Sequence, residues 1–446
     1  MPNTDAPNTD AMPTFSPNDS PAHAHAIDLG DFVSSSPSSF HAAAEAARRL
    51  SAAGFVRVSE TDEWPRSGRF YCVRDGAIIA WAVPDAASAR TGFRVLGSHT
   101  DSPTFKLKPR PTTGKYGWLQ AGVEVYGGPL LNSWLDRELA LAGSIVTRAG
   151  VRHLTRTGPL LRFPQLAIHL DRGANDGLKL DKQQHMNPVW GLGDPSEADL
   201  VGVLAEHADV DPSDVAGYDV VLADTQAPRL FGGENEFLAS SRLDNLSSVH
   251  AGVRALEALD VESADRIAVL AAFDHEEVGS SSRSGACGPF LDDVLSRISG
   301  GLGATDAQYR QALASSVCVS ADAGHSVHPN YPGHHDPANL PIAGGGPLLK
   351  INANQRYATD GPGAAIWQRV CAAAGVPTQE FVSNNQVPCG STIGPLTATR
   401  IGIRTIDVGV PLLSMHSARE LTAVTDPYFL GLAAAEFLRS ANTPPR

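Results

Sequence analysis

Apolar residues in this chain fall into runs that suit buried strands, and clusters of polar side chains follow several of those runs. The run over residues 266–273 is almost unbroken, and shorter ones cover 93–98, 317–321 and 403–408. Continuous apolar runs of this length are typical of parallel strands that helices cover on both faces. Because segments with helical spacing lie between them, the pattern predicts an α/β fold with a mixed, largely parallel sheet flanked by helices.

Local signals place the ends of several elements. Ser38 or Ser39 is positioned to cap an alanine-rich helix, and Asp75-Gly76 between two apolar runs predicts a two-residue hairpin. Asp244 is positioned to cap a helix that runs to about residue 259. Asp426, which a proline follows, predicts the capped start of the last helix.

The spacing of apolar stretches and turns changes over residues 104–238. Short apolar stretches such as 166–170 alternate there with glycine, proline and charged turns, which predicts an inserted β-rich domain. The insertion would divide the α/β domain into a first part, 26–103, and a second part, 239–446. Residues 1–25 are rich in Pro, Asn, Asp, Ser and Ala and offer few groups to bury, so they are predicted to form a disordered tail.

Composition argues against several classes of protein. The 446 residues carry a formal net charge of -13, which argues against a nucleic-acid or anionic-membrane partner. The five cysteines are scattered, with no Cys-x-x-Cys pair, as is usual for reduced thiols in the cytoplasm. No apolar stretch approaches the roughly 18 residues of a transmembrane helix, and the N-terminus lacks the features of a signal peptide. We therefore expect a cytoplasmic protein without a membrane partner.

The strand predicted over 266–273 ends directly in an acidic cluster, Asp274-His275-Glu276-Glu277. Ligand sites of open α/β sheets lie outside the carboxyl ends of the strands. Successive side chains of an extended backbone point in opposite directions, so one glutamate could bind a cation while the other handles a proton. A lone Glu-Glu pair is equally compatible with a solvated acidic loop, and the rest of the chain has to decide between the two.

Three further strands are followed by side chains that bind metals. His99 and Asp101 follow one strand at a spacing that lets the carboxylate support a metal-bound imidazole, although a polar loop with a capping Asp is the alternative. Asp322 and His416 follow two other strands. Asp244 lies between these segments, and its carboxylate could cap a helix and bind a metal at once, since each oxygen can serve a different partner.

The combination predicts a metal centre with five protein ligands. Imidazole and carboxylate ligands without cysteine suit zinc, manganese or cobalt. Five ligands of which one carboxylate bridges make two sites of three ligands each, and each site keeps a position open for water. Paired metals can polarise a carbonyl group and activate a bridging water, and a spare glutamate could accept the proton of that water.

The motifs that carry these residues resemble those of the aspartyl aminopeptidases, a family of metalloaminopeptidases. The resemblance covers nearly the whole chain beyond the tail and is carried by residues 97–103, 241–245, 274–279, 322–325 and 415–417. It implies two divalent metal ions, with zinc expected and manganese or cobalt as alternatives. In the roles that it implies, Asp244 bridges the metals and is followed by a cis peptide, His99 and Asp322 complete one site, Glu277 and His416 complete the other, Asp101 orients His99, and Glu276 is the general base.

The resemblance also implies a pocket for the N-terminal residue of a peptide. It places His325, Lys350 and Tyr357 there, beside Glu276 and Asp322 of the metal centre. These side chains would recognise an N-terminal Asp or Glu. A lone lysine is usually solvated, but the net charge of -13 means that an acidic substrate needs a local cation, and Lys350 is the candidate.

His169 lies among apolar neighbours, where a single histidine is more often structural than functional. The resemblance gives it a catalytic and substrate-binding role in which it reaches the site of a neighbouring subunit and steadies the tetrahedral oxyanion. It also implies a large closed homo-oligomer, often a tetrahedral dodecamer, with the inserted domain as a lid or oligomerisation contact.

The expected function is therefore hydrolytic removal of an N-terminal acidic residue from peptides. A related dinuclear peptidase with another residue preference, or a deacylase, is the enzymatic alternative. An oligomeric scaffold or peptide-binding protein that retains the fold without activity is the non-enzymatic one. Loss of a ligand or of the base would favour the scaffold, and neither is missing from the sequence.

Overall fold

The computed structural model of the protein describes residues 20–439. Its helices are α1 (Pro21–Ser34), α2 (Ser39–Ala52), α3 (Leu200–Glu206), α4 (Leu243–Glu257), α5 (Phe290–Gly301), α6 (Asp306–Ala314), α7 (Gly361–Ala374), α8 (Ile393–Ile401) and α9 (Thr425–Arg439). Its strands are β1 (Val56–Arg57), β2 (Gly68–Arg74), β3 (Ala77–Val83), β4 (Phe93–His99), β5 (Thr104–Lys115), β6 (Trp118–Tyr126), β7 (Leu139–Thr147), β8 (Arg152–Arg156), β9 (Val189–Leu192), β10 (Val215–Asp224), β11 (Arg229–Phe231), β12 (Phe237–Ser240), β13 (Ile267–Phe273), β14 (Val317–Ala321), β15 (Gly324–His325), β16 (Leu348–Ile351), β17 (Gln379–Val382), β18 (Arg404–Gly409), β19 (Pro411–Leu412) and β20 (Glu420–Ala423).

A nine-stranded mixed sheet organises the α/β part of the chain. Its strand order is β1-β2-β3-β13-β4-β14-β18-β16-β17. The four central strands β13, β4, β14 and β18 run parallel to one another, while β3 and β16 pair with this group in antiparallel orientation. The predicted mixed, largely parallel sheet is confirmed, and the parallel core brings the carboxyl ends of four strands to one edge.

Both faces of this sheet are covered by helices. In β13 the side chains of Ala268, Leu270 and Ala272 pack on the face covered by α1, α2, α4, α7 and α9, whereas Val269 and Phe273 pack on the face covered by α5, α6 and α8. All residues of β13 are buried. This explains why the strand reads as a continuous apolar run rather than an alternating one.

A second, six-stranded sheet is antiparallel and has the order β8-β7-β10-β5-β6-β9. Its own core, which includes Phe105, Leu141 and Leu222, packs with α3. The apolar stretch 166–170 does not belong to it. Leu166, Ile168 and Leu170 are exposed in a turn in which the N–H of Leu170 donates to the carbonyl of Ala167, so a strand-like interpretation of this stretch is wrong.

Helix α1 corrects the prediction for the N-terminal segment. Ser20 caps it by accepting a hydrogen bond from the N–H of His23, and Ala22, Ala26, Leu29 and Phe32 form a buried stripe at helical spacing. This stripe joins the main core, which also includes side chains of α4 and α9. The predicted disordered tail is therefore wrong for residues 21–25, because small alanines can pack even where composition looks poor in core residues. Residues 1–19 of that prediction lie outside the described part of the chain.

The other local signals have mixed outcomes. Ser38 caps α2 by accepting from the N–H of His41, and Asp75 lies in the turn between β2 and β3 with a φ of 57°, so both predictions are confirmed. Asp426 does not cap α9. Its carboxylate instead accepts hydrogen bonds from the N–H groups of Gly344 and Gly346, at 2.8 and 2.9 Å. None of the helices within residues 20–439 combines the length and apolar content needed to cross a membrane.

Candidate metal centre and active site

The strand registers of the central sheet bring separate candidate residues to one edge. His99 is the last residue of β4 and pairs with Phe273 at the end of β13. A short 3-10 turn, Glu276–Val278, follows β13, and Asp322 comes directly after β14, which also pairs with β4. Neighbouring strand ends therefore place an imidazole and three carboxylates at one edge of the sheet. The backbone of His275 is left-handed, and Glu276 begins the 3-10 turn. The two glutamates therefore do not lie on the extended backbone that is predicted for them from the sequence.

Asp244 occupies the middle of this group. Arg242, just before α4, has a left-handed backbone with a φ of 59°. The Asp244–Asn245 peptide bond is cis. The predicted helix cap is wrong, because the N-cap position of α4 is occupied by Arg242 and no side chain makes a capping hydrogen bond there. The Asp244 carboxylate faces two histidines instead. Its Oδ1 lies 3.4 Å from His99 Nε2, and its Oδ2 lies 3.3 Å from His416 Nε2.

Each histidine also faces a second carboxylate. His99 Nε2 lies 3.6 Å from Asp322 Oδ1, and His416 Nε2 lies 3.4 Å from Glu277 Oε2. The structure thus brings together all five side chains predicted as ligands, and it arranges them as two groups of three that share Asp244.

The chemistry and spacing of these atoms fit metal ions. Ligand atoms bound tetrahedrally to zinc lie about 3.3–3.5 Å from one another, whereas N–H···O hydrogen bonds span only roughly 2.7–3.2 Å. Ligand atoms of His99, Asp244 and Glu277 all lie within 4.8 Å of one another. Asp244 Oδ1 and Glu277 Oε1 are buried and make no hydrogen bond within the described residues. Buried polar atoms are normally partnered, so these oxygens are available to bind a cation.

Asp101 lies behind His99 and is buried. The Nδ1 of His99 is 3.1 Å from the backbone oxygen of Asp101 and 3.4 Å from its carboxylate. The same carboxylate accepts hydrogen bonds from the N–H groups of Glu276 and Glu277, at 3.0 and 3.1 Å. Asp101 therefore contacts both the imidazole and the turn that carries the two glutamates.

Burial raises the pKa of Glu276 to about 8, with His99 lowering it and Asp322 raising it. Bound cations would act in the opposite direction from burial, because they favour the carboxylate. A carboxyl group whose pKa lies near the working pH can accept and return a proton efficiently. Glu276 thus has an environment suited to proton transfer, beside the two ligand groups.

Lys350 and Tyr357 lie next to the group that contains Asp322. Lys350 is 2 % exposed, and its ammonium donates to the carbonyl of Ala323 at 2.7 Å. It also lies 5.3 Å from the ring centroid of Tyr357, which is buried. The rings of His325 and Tyr357 both lie near the ring of Phe381, at centroid distances of 6.3 and 6.2 Å. Desolvation and, next, the charge of Lys350 lower the pKa of His325.

His169 is not brought to this centre by its own chain. It lies exposed in the turn over 166–170, and no hydrogen bond or ion pair within residues 20–439 joins its ring to the ligand groups.

Two buried polar contacts around the ligands had no recognisable signal in the sequence. Tyr126 donates a hydrogen bond to Asp101, and Glu420 accepts hydrogen bonds from the backbone of Asp244 and His416. Tyr126 ends a strand of the six-stranded sheet, and Glu420 begins β20, so neither belongs to a motif that reads as chemistry.

Comparison with known proteins places this fold and site in a family. A profile described as aminopeptidase I zinc metalloprotease (M18) matches residues 32–438. The probable M18 family aminopeptidase 2 of Streptomyces avermitilis is 53% identical over 420 residues, which cover 93% of this chain and 97% of that protein. The corresponding protein of Mycobacterium tuberculosis is 43% identical over 421 residues, covering 92% and 97%.

Solved structures agree with this grouping. The cryo-EM structure of the Ape4 and Nbr1 complex contains a chain with a TM-score of 0.90 and 36% identity, covering 94% of this chain and 86% of that one. The S. cerevisiae mApe1 dodecamer gives a TM-score of 0.80 at 28% identity, covering 92% and 95%. The resemblance found in the motifs is confirmed at this level, since the M18 family includes the aspartyl aminopeptidases. The chain belongs to the M18 family of zinc metalloaminopeptidases.

Proposed function

We propose that this protein is a dinuclear zinc aminopeptidase that removes N-terminal Asp or Glu from peptides, with Glu276 as the general base. The observation that carries the proposal is the position of Asp244, whose two carboxylate oxygens each face a different imidazole at 3.4 and 3.3 Å. With one oxygen toward each imidazole, Asp244 would be the residue shared by two metal ions.

The protein ligands divide into two groups around this bridge. His99, Asp244 and Asp322 would hold one ion, and Asp244, Glu277 and His416 would hold the other. Two bound ions would polarise the scissile carbonyl and lower the pKa of a bound water. With three protein ligands each, both groups leave room for water and substrate, as catalytic zinc sites do.

Glu276 is the side chain to which we assign proton transfer. It is held through its own N–H by Asp101, at 3.0 Å, and is electrostatically coupled to His99 and Asp322 of the first ligand group. It would accept the proton of the attacking water and deliver it to the nitrogen of the departing amine. The N–H of Glu277 donates to the same Asp101 carboxylate, but its side chain faces His416. These contacts support different roles for the two neighbouring glutamates.

Lys350 supports the preference for acidic residues. Its buried ammonium has one hydrogen bond among three possible donors, to Ala323, and Ala323 follows Asp322 directly. If the side-chain carboxylate of an N-terminal Asp or Glu pairs with this cation, the α-carbon of that residue would lie beside the metal ligands. Tyr357 and His325 would form the walls of the same pocket.

We further propose a homo-oligomer in which residues 104–238 form a lid or subunit contact and His169 acts in a neighbouring site. The mApe1 relative of S. cerevisiae forms a dodecamer. Leu166, Ile168 and Leu170 around His169 are exposed at 57%, 47% and 75%, which is unusual for a cluster of large apolar side chains unless a partner covers them. The five free cysteines are compatible with the reducing cytoplasm.

The test combines metal analysis with a substrate panel. Purified protein is expected to hold two zinc ions per chain and to hydrolyse peptides with N-terminal Asp or Glu much faster than those with N-terminal Leu, with no activity on N-acetylated peptides. Equal rates on Asp and Leu peptides would overturn the specificity, and one ion per chain in a fully active enzyme would overturn the dinuclear mechanism. Activity on acetylated substrates would instead identify a deacylase.

A further inference from the structure

A buried carboxylate connects the backbones of two of the predicted metal ligands. Glu420 is 2 % exposed. Its Oε2 accepts a hydrogen bond from the N–H of Asp244 at 2.9 Å, and its Oε1 accepts one from the N–H of His416 at 2.8 Å. Asp244 lies 176 residues away in the chain, whereas His416 lies only four residues away. One side chain thus ties two distant segments together at the positions of their ligands.

Strand pairing fixes Glu420 in this position. It begins β20, and in the antiparallel ladder with β12 it lies opposite Ser240. The next residue, Leu421, exchanges two backbone hydrogen bonds with Leu413 on the other side. Because β20 is held on both sides, the carboxylate is a rigid reference point rather than a mobile surface group.

We infer that Glu420 is a positioning residue that sets the spacing between Asp244 and His416 for metal binding. Each oxygen accepts one backbone N–H, so the carboxylate holds the two ligand residues at a fixed separation, and their side chains meet at 3.3 Å. Asp101 does the same for the neighbouring turn, where it accepts from the N–H groups of Glu276 and Glu277. Groups that hold ligands in place typically change metal affinity about 10–100-fold when they are removed. This inference rests on the proposed metal site.

Glu420→Gln is a sharp test because the side chain keeps its size but no longer has two equivalent acceptor oxygens. A glutamine has one acceptor oxygen, and its NH2 group would face the second N–H, donor against donor. The matched control is Asp426→Asn, because Asp426 is also buried and also accepts two backbone hydrogen bonds, from Gly344 and Gly346. It lies outside the ligand groups, so it reports the general effect of replacing a buried carboxyl group by an amide.

The measurements are zinc affinity by competition with a chromophoric chelator, the absorption spectrum of the cobalt(II)-substituted protein, and kcat and KM at saturating zinc. All use the full-length assembled protein. Glu420→Gln is expected to weaken zinc binding about 10–100-fold and to shift the cobalt spectrum, with a fall in kcat and little change in KM. Asp426→Asn is expected to keep the affinity and the spectrum of the wild type.

Two results would overturn the inference. One is a folded Glu420→Gln with wild-type zinc affinity and cobalt spectrum, and the other is an equal loss of affinity in both variants. If Glu420→Gln does not fold, Glu420→Asp replaces it, because a carboxylate shortened by one methylene cannot reach both N–H groups. Wild-type affinity in that variant would also refute the role. Failure of the wild type itself to bind zinc would contradict the proposed function instead.

Discussion

The phenol of Tyr126 donates a hydrogen bond to Asp101 Oδ2 at 2.8 Å and so joins the six-stranded sheet to the carboxylate behind His99. Two residues further on, the carbonyl of Gly128 lies 3.1 Å from His416 Nδ1. The end of β6 therefore contacts the outer side of both ligand groups. A sheet whose core is separate from that of the α/β part takes a direct share in orienting the candidate metal centre.

Tyr126→Phe should weaken this connection without removing any ligand. Loss of a hydrogen bond to a charged group is worth about 1.5–3 kcal/mol, so we expect zinc affinity and kcat/KM to fall roughly 10-fold or more. Tyr218→Phe is the control, since its hydroxyl donates to the carbonyl of Lys108 elsewhere in the same sheet. Zinc titration and steady-state kinetics on both variants make the comparison, and equal behaviour of the two would argue against a role for Tyr126.

Glu276→Gln and Asp244→Ala should separate catalysis from metal binding. Without the general base, Glu276→Gln is expected to keep its zinc and to lose about 10²–10⁴-fold in kcat. Asp244→Ala removes the shared carboxylate and is expected to lose zinc as well as activity. Elemental analysis and peptide kinetics distinguish these outcomes, with the exposed Glu197→Gln as a neutral control. Normal turnover by either site variant would refute its assigned role.

Lys350→Met should alter substrate preference more than catalytic capacity. The buried ammonium is the cation proposed to pair with the substrate side chain, and loss of such a pair costs about 2–5 kcal/mol. We expect kcat/KM for an N-terminal Asp peptide to fall about 10²–10³-fold. For an N-terminal Leu peptide it should change little. A parallel loss for both peptides would mean that Lys350 supports the structure of the pocket rather than its specificity.

Mixed assemblies can test whether His169 acts in a neighbouring subunit. His169→Ala and Glu276→Gln should each be inactive alone, the first for want of the histidine and the second for want of the base. Subunits reassembled from both should regain part of the activity, because an intact Glu276 can meet an intact His169 from the other variant. The measurement is activity after joint refolding or co-expression. Full activity of His169→Ala alone would remove the histidine from the mechanism.

Asp426 should make stability depend on pH. Burial raises its pKa to about 7, above the ordinary value of 3.8. Between these values the folded state retains a proton that the unfolded chain releases, so the contribution of this group to stability falls as the pH rises. Relative to Asp426→Asn, the wild type should lose roughly 1.4 kcal/mol of unfolding free energy per pH unit between about pH 5 and 7. Urea unfolding of both proteins at pH 5 and 7 checks this, and a constant difference would contradict it.

Secondary structure near the site could be predicted because strong local signals coincide with it. The buried strand β13 reads as an apolar run, the Asp75-Gly76 turn needs a left-handed residue, and Ser38 supplies a cap to α2. Polar residues at strand ends such as His99 and Asp322 were predictable as candidate ligands, because neighbouring parallel strands bring their carboxyl ends to one edge of the sheet.

Helix-cap predictions that rest only on residue type were wrong at two aspartates, because other groups in the fold lie close to their carboxylates. Asp244 and Asp426 both look like helix caps, yet one faces two imidazoles and the other binds the N–H groups of Gly344 and Gly346. A carboxylate accepts from whatever donors the fold brings near it, and those donors lie far away in the sequence.

The sequence by itself determined the α/β class, the mixed, largely parallel sheet and the strand ends at which candidate ligands lie, because burial and polar strand ends leave a local pattern. Only the tertiary structure decided how close the candidate ligands His99 and His416 come to the two oxygens of Asp244. It also decided which groups hold them, since Tyr126 and Glu420 reach the centre through strand register and packing. The contacts of Tyr126 with Asp101 and of Glu420 with Asp244 join residues far apart in the chain. They cannot be predicted from local patterns, because the sequence around one partner does not depend on the identity of the other.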